Sequence, residues 1–279
     1  MKDSQKKVTL QNKIDFAVVI SVKNANPNGD PLTGNRPRET YDGYGEISDV
    51  CIKRKIRNQL QFSGESIYVQ SKEMSDCESL KQRAEKCEEL KAAGKDKEKY
   101  YKAACEKWID VRSFGQIFLN KDPVSVRGPV SITQATSVSP IEIVSMQITR
   151  SIKADTDRDT MGLKHKIPFG LYVFYGSISC QLAEKTGFTE EDAEKIKNAI
   201  LHMFDEDSSA ARPGGSMEVC RLYWWKHDCK TPKYSSAKVH RLLSIKEKEG
   251  VSRPESIDDY DITLGELDGL SVEKYEDLT

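Results

Sequence analysis

An α+β fold on the split βαβ, ferredoxin-like plan is what the order of segments predicts, because strand, helix, strand, strand, helix, strand remains once the polar insertions are set aside. Three observations carry this. Residues 13–24, 170–183 and 219–227 are β-branched or aromatic runs of strand character. Segments 48–61 and 189–204 have apolar residues at helical spacing behind a Ser or Thr N-cap. The chain is 279 residues with 37% hydrophobic and 31% charged residues, enough for a buried core and too polar for a membrane bundle.

The first strand, KIDFAVVISVKN, alternates and then runs apolar, as a buried strand does. Gly, Pro and Asn crowd NANPNGDPLTGNRPRE (24–39), which is a long loop. Ser48 caps the next helix, with Asp49 in its first turn and Val50, Ile52, Ile56 and Leu60 expected as one buried stripe. Residues 72–107 are Lys-, Glu- and Ala-rich, with Leu80, Ala84, Cys87 and Leu90 at helical spacing, and read as an inserted helical pair broken near Gly94. Strand character resumes at Gln116 to Leu119 and Ile141 to Thr149. The polar stretch 150–166 then joins two strands as a long hairpin or a loop. Thr189 caps the second long helix, with Glu190, Glu191 and Asp192 in its first turn, and the loop DEDSSAARPGGSM leads to the last strand.

Composition and motifs exclude several function classes. The longest apolar run, Phe16 to Ile20, is far short of the ~20 residues of a spanning helix, and no Ala-x-Ala-like cleavage site follows it, so a cytoplasmic protein with no membrane partner is expected. Seven cysteines without a close C-x-x-C pair suggest free thiols, neither a disulfide framework nor a zinc ribbon. Asp155 to Asp159 begins like a calcium loop, but Thr160 and Lys166 stand where Gly and Glu are needed, and Pro37 spoils the run from Asn26 in the same way. No G-x-S-x-G, P-loop or G-x-G-x-x-G is present, and His227, Asp228 and Cys229 are too close in sequence to converge on one ion. No catalytic residue, cofactor or metal is expected.

The positive signals are those of polyanion binding. Residues 246–279 hold eleven Asp/Glu and four Lys/Arg, a net of −7, which leaves 39 basic and 33 acidic residues, a net of +6, in 1–245. Lys53 and Arg57 lie at i and i+4 on the first helix with Arg54 beside them, either a solvated face or a pair that straddles phosphates next to Arg36 and Arg38. Arg212 in ARPGG could join bare backbone N–H groups on an anion, or belong to an ordinary surface turn. Trp224 and Trp225 face opposite sides of a strand, so at most one could stack on a base.

SDVCIKRKIR (48–57), NPNGDP (26–31), VRGPVSITQATSVSPIEI (126–143) before ITR (148–150), and the stretch from GLYVFYGSI to DSSAARPGG resemble, in order and spacing, the Cascade backbone subunits of CRISPR defence, the Cas-seven superfamily, in its type I-C (Csd-two-like) branch. The resemblance covers roughly residues 13–228. It implies an RRM-like palm over 1–245 with helical fingers at 72–107 and a thumb hairpin at 150–168, the acidic segment 246–279 lying outside the motifs. It also implies a non-catalytic, RNA-binding subunit that forms a helical filament along guide crRNA, supports pairing with target DNA in antiviral defence, and joins further copies of itself and other Cascade subunits that cap the ends. Asn28, Arg36, Arg38, Lys53, Arg54, Arg57, Arg150 and Arg212 would then hold RNA, and Met161 and Leu163 would form an apolar thumb wedge between bases. The rivals are an RNA-guided ribonuclease using Asp30 and a generic single-stranded RNA chaperone, the latter separable because it would coat RNA loosely instead of in regular arrays.

Overall fold

The computed structural model of the chain describes residues 8–119, 122–149 and 161–276. Its centre is strand β1 (Ile14–Ala25), in which Ile14 to Val22 are all buried. A strand with partners on both edges and layers on both faces has no solvent side, which is why its sequence runs apolar instead of alternating. The other strands of this eight-stranded sheet are β2 (Tyr44–Ile47), β3 (Ala135–Pro140), β4 (Val144–Thr149), β5 (Met161–Ile178), β6 (Met217–Lys226), β7 (Val272–Glu276) and the short strand Val130–Ile132, which pairs with the end of β5. The sheet order is β7-β6-β1-β5-β3-β2, antiparallel throughout, with β4 paired to the start of β5. The mixed α/β architecture with a central antiparallel sheet is as expected, and β1, β5 and β6 fall where the sequence placed strands; the strand beside β5 is Ala135–Pro140, whereas Gln116–Phe118 pairs Val124–Val126 in a separate small sheet and Val144–Thr149 lies off the main path.

Helices α1 (Asp49–Phe62) and α3 (Glu190–Leu201) cover one face, where Phe16, Val18, Ile20 and Val22 meet Ile52, Ile56, Leu60, Ile196 and Ile200. Ser48 caps α1 through a bond from Cys51 N, and Thr189 with Asp192 closes a full capping box on α3. The stripe on α1 differs from expectation at one position. Val50 is 68% exposed, and Lys55 is buried in the row with Ile52 and Ile56. Residues 50 and 52 are about 200° apart around a helix, so they cannot share a face.

The insertion after α1 builds a core of its own from Tyr68, Leu90, Tyr100, Trp108 and Phe118. It contains three helices, Leu80–Lys86, Glu88–Ala93 and Lys97–Lys107, where a pair was expected. The break at Gly94, with φ of 58°, falls where the sequence placed it, and Cys87 supplies the second. Helix α2 (Ile109–Phe114) returns the chain to the palm.

The opposite sheet face is covered by helix Ser236–His240 and the antiparallel pair Leu243–Glu247 with Tyr260–Leu264. The boundary between basic body and acidic segment therefore falls inside a strand. The acidic segment up to Glu276 is a folded layer, and β7 extends the sheet beside β6. Both tryptophans are buried, Trp224 stacked on Phe16 at 5.2 Å and Trp225 in the second layer, so neither is exposed to meet a base.

This second layer is tied to β1 through Asp15, which is fully buried. His227 Nε2 lies 2.8 Å from its carboxylate, Lys13 Nζ donates to it at 3.0 Å and also to Ser236 at 2.6 Å, and His240 is 3.8 Å from its other oxygen. Burial would raise the Asp15 carboxyl, but hydrogen bonds with His227, Ser236 and Lys13 hold it below its ordinary value. Burial pushes the His240 imidazole, stacked on Tyr175, down from its ordinary value against the attraction of Asp15. A depressed histidine favours the folded state above its unfolded value of about 6.5, and that contribution disappears as pH falls through the folded value. The unfolding midpoint should accordingly drop between pH 7.5 and pH 5, and His240→Gln should flatten the drop in calorimetry. Equal slopes in the two proteins would show that His240 does not couple this layer to protons.

Candidate nucleic-acid interface

The loop between β1 and α1 is held by its own amides. Asn28 Oδ1 accepts from Ser48 N at 2.9 Å, Asn28 O accepts from Arg38 N at 3.0 Å, and Asn26 Nδ2 donates to Asn35 O at 2.7 Å. Gly29 is required by close approach, since a Cβ there would fall 2.0 Å from Asn35 Oδ1. Asp30 accepts from Leu32 N at 3.1 Å and lies 3.5 Å from Arg38 Nη2, so its carboxylate is engaged in the turn. A second loop, 205–216, closes on the first through Asn26 N to Ala211 O at 2.9 Å.

Between the two loops and the start of α1, Arg38, Lys55 and Arg212 converge around Cys51 and Asp207. Asp207 accepts from Lys55 Nζ and, at 2.7 Å, from Arg212 Nε. Burial pushes the Cys51 thiol up and pulls the Lys55 ammonium down, the latter in spite of Asp207. Among the described residues, the cluster keeps two unpaired buried donors, Arg38 Nε and Ser216 Oγ, and one unpaired buried acceptor, Asn26 Oδ1. Three cations against Asp207 and Asp30, with spare polar atoms, can accept a phosphodiester.

The structure brings Asn28, Arg38 and Arg212 together as one site, and Arg36, on the short strand Arg36–Pro37, stands two residues before Arg38 and 3.9 Å from Glu39. It separates the other three cations on α1. Lys53 Nζ bonds Asp49 at 2.9 Å, and Arg54 Nη1 donates to Val69 O at 2.6 Å. Arg57 Nε donates to fully buried Asp110 at 3.0 Å, with the guanidinium 5.0 Å from the Phe114 ring centre. Asp110 also accepts from Tyr68 N and Val69 N at 2.7 and 3.0 Å, so Arg54 and Arg57 dock the inserted helices on α1. Lys55 was missed by sequence reasoning. Its signal was a lysine within the buried stripe of α1, a position that demands a carboxylate.

Strands β4 and β5 form a two-stranded ribbon, Met161 opposite Thr149 and Lys166 opposite Val144. Met161 and Leu163 are 67% and 61% exposed, but they are paired strand residues, where the sequence suggested the middle of a connecting stretch. Residues 150–160, and with them Arg150, lie outside the described residues. His227 is paired with Asp15, and no group of three metal-ligating side chains occurs among the described residues.

The sequence pattern of the family described as CRISPR-associated protein Cas7 matches residues 12–265. A CRISPR-associated protein Cas7 of Haloferax volcanii is 28% identical over 218 residues, 68% of this chain and 63% of that protein, so the match spans less than two thirds of that relative. Among solved structures, a chain of a CRISPR RNA-guided surveillance complex, pre-nicking, superposes with a TM-score of 0.52 at 14% identity over 81% of each chain. A chain of another CRISPR RNA-guided surveillance complex gives 0.50 at 15% identity, over 86% of this chain and 78% of that one. At such identities the likeness shows a shared fold.

Two cations of α1 should behave differently on removal. Arg57→Ala leaves buried Asp110 without its cation and should cost about 3 kcal/mol or more in urea unfolding. Lys53→Ala, which breaks a surface i, i+4 pair, should cost under about 0.5 kcal/mol. A small loss for both would remove Arg57 from the clamp described above.

Proposed function

Because the chain belongs to the CRISPR-associated protein Cas7 family, we propose that it is a non-catalytic backbone subunit of a type I-C Cascade complex. Copies of it line one guide crRNA, hold its phosphates and present its bases for pairing with target DNA, while other subunits cap the ends. The observation that carries this reading is the convergence of Arg38, Lys55 and Arg212 on the amide-braced loop at the start of α1, with donor capacity left over. Side chains of this kind read backbone and leave sequence to base pairing. Arg36 and Lys53, each on a partly exposed carboxylate, extend the track along the strand and helix. Arg57 contributes by fixing the inserted helices beside that track.

The rival reading, a ribonuclease using Asp30, meets a specific obstacle. That carboxylate caps the turn at Leu32 and faces Arg38, so it serves loop geometry and charge balance. A generic RNA chaperone would not need so rigid a loop, braced by Asn26 and Asn28.

Binding of single-stranded RNA measured against salt tests the site. Replacing Arg38 and Arg212 by Ala should flatten the slope of log K on log salt by about 1.4 per subunit, at about 0.7 per phosphate. In the same preparation, complementary RNA in magnesium or manganese should stay intact. An unchanged slope would remove these arginines from the interface, and cleavage that disappears in Asp30→Asn would replace the subunit reading with the ribonuclease one.

A further inference from the structure

A cavity of about 320 Å³ opens on the sheet face opposite α1 and α3, where β3 ends and the layer that carries the acidic segment packs down. One wall is aromatic. Phe169, from β5, and Tyr260, from that layer, have ring centres 6.4 Å apart with planes at 39°, and the Tyr260 hydroxyl is fixed 3.2 Å from Ser139 Oγ. Pro140, Pro168 and Pro254 add rigid apolar surface. Two carboxylates stand among these groups. Glu247 lies directly opposite Tyr260 in the pairing of Leu243–Glu247 with Tyr260–Leu264, so its side chain shares a face with that ring. Glu142, just past the end of β3, already holds a guanidinium, because Arg253 Nη2 is 2.7 Å from its Oε2 with the two side chains 56% and 59% exposed.

We propose that this cavity receives an arginine side chain from a cationic segment of another protein. The proposal stands on the cavity and holds apart from the reading of the chain as an RNA-binding subunit. Aromatic rings beside carboxylates match a guanidinium on two counts, since the flat cation stacks on a ring face while its N–H groups reach the carboxylate oxygens. An ammonium meets the second condition and gains less from the first. Long-range charge selects the same partner. Residues 246–276 hold ten Asp/Glu and four Lys/Arg, so the layer that builds half of the cavity attracts a polycation and repels a nucleic acid. Arg253 is the occupant in miniature, a guanidinium of this chain resting on Glu142 at the cavity. An ion pair so exposed is weak, and an incoming arginine can take Glu142 from it. Arg253 thereby acts as a competitor that only a segment with further contacts displaces.

Calorimetric titration of the full chain with a capped peptide of alternating glycine and arginine tests this, beside lysine and citrulline peptides of the same length. The arginine peptide should bind, the lysine peptide about threefold more weakly, and the neutral citrulline peptide not measurably. Glu142→Gln with Glu247→Gln should weaken arginine binding about tenfold, as the loss of two exposed ion pairs would. Phe169→Leu, which keeps apolar volume and removes the ring, should weaken it about threefold. Arg253→Gln should strengthen it about threefold, because the competitor is gone. Affinity for single-stranded RNA should not fall in any of these variants. Citrulline binding as tight as arginine binding, an unaltered affinity in the double glutamine variant, or weaker arginine binding in Arg253→Gln would overturn the proposal. So would the absence of arginine binding by both the wild type and Arg253→Gln, and RNA affinity lost with Phe169→Leu would make the cavity part of a nucleic-acid surface instead. The charge variants carry the test on their own if Phe169→Leu loosens the layer.

Discussion

The pairing of β1 with β5 is the constraint on which the rest of the molecule depends. It runs in unbroken register from Ile14 opposite Ile178 to Lys23 opposite Phe169, and resumes at Ala25 opposite Ile167. Because β1 is buried on both faces, a slip of one residue would exchange Phe16, Val18 and Ile20 with Ala17 and Val19 between two cores of different shape. That register places Asn24 and the amide-braced loop at the point where β5 leaves the sheet to enter the ribbon. The loop with its cationic cluster and the ribbon are therefore neighbours as a consequence of core packing.

Electrostatics on this end are arranged as exchangeable pairs. Arg212 sits on Asp207, which buried Lys55 holds in place, Arg38 faces Asp30, Arg36 faces Glu39, and Lys53 sits on Asp49. On the proposed function, an incoming phosphate would compete with carboxylates already in place, so a chain of correctly spaced phosphates would gain more than a lone one. Arg57 and Asp110 stand apart from this exchange, being too buried to trade partners and too central to the docking of the inserted helices.

Local chemistry made much of this legible in the sequence. Ser48 and Thr189 announced their helices because a side-chain cap acts within three residues, and the β-branched runs announced the inner strands. The fold class followed from their order. What stayed hidden was set by distance along the chain. Nothing near Lys55 in sequence points to Asp207, and nothing near Arg57 points to Asp110, so Lys55 was passed over and Arg57 was valued by its helical spacing instead of by its partner. Val50 entered the wrong stripe because one apolar residue near a helix start fits either face. The ribbon faces could not be read without its register, since the alternation of Met161 and Leu163 says which residues share a side but not which lysines join them.

Strand β5 is eighteen residues long and passes without interruption from the middle of the sheet to the exposed ribbon. At about 3.3 Å per residue it is a rod of roughly 60 Å, clamped in the sheet from Ile167 onward and paired only with β4 before that. A clamped rod acts as a cantilever. A load applied near Met161 is borne as bending moment at the clamp around Ile167 and Gly170, beside Ala25 and Tyr172, and not dissipated in a hinge. The far end of this protein is thereby mechanically continuous with its core, so what grips the ribbon also strains the strand that holds the loop.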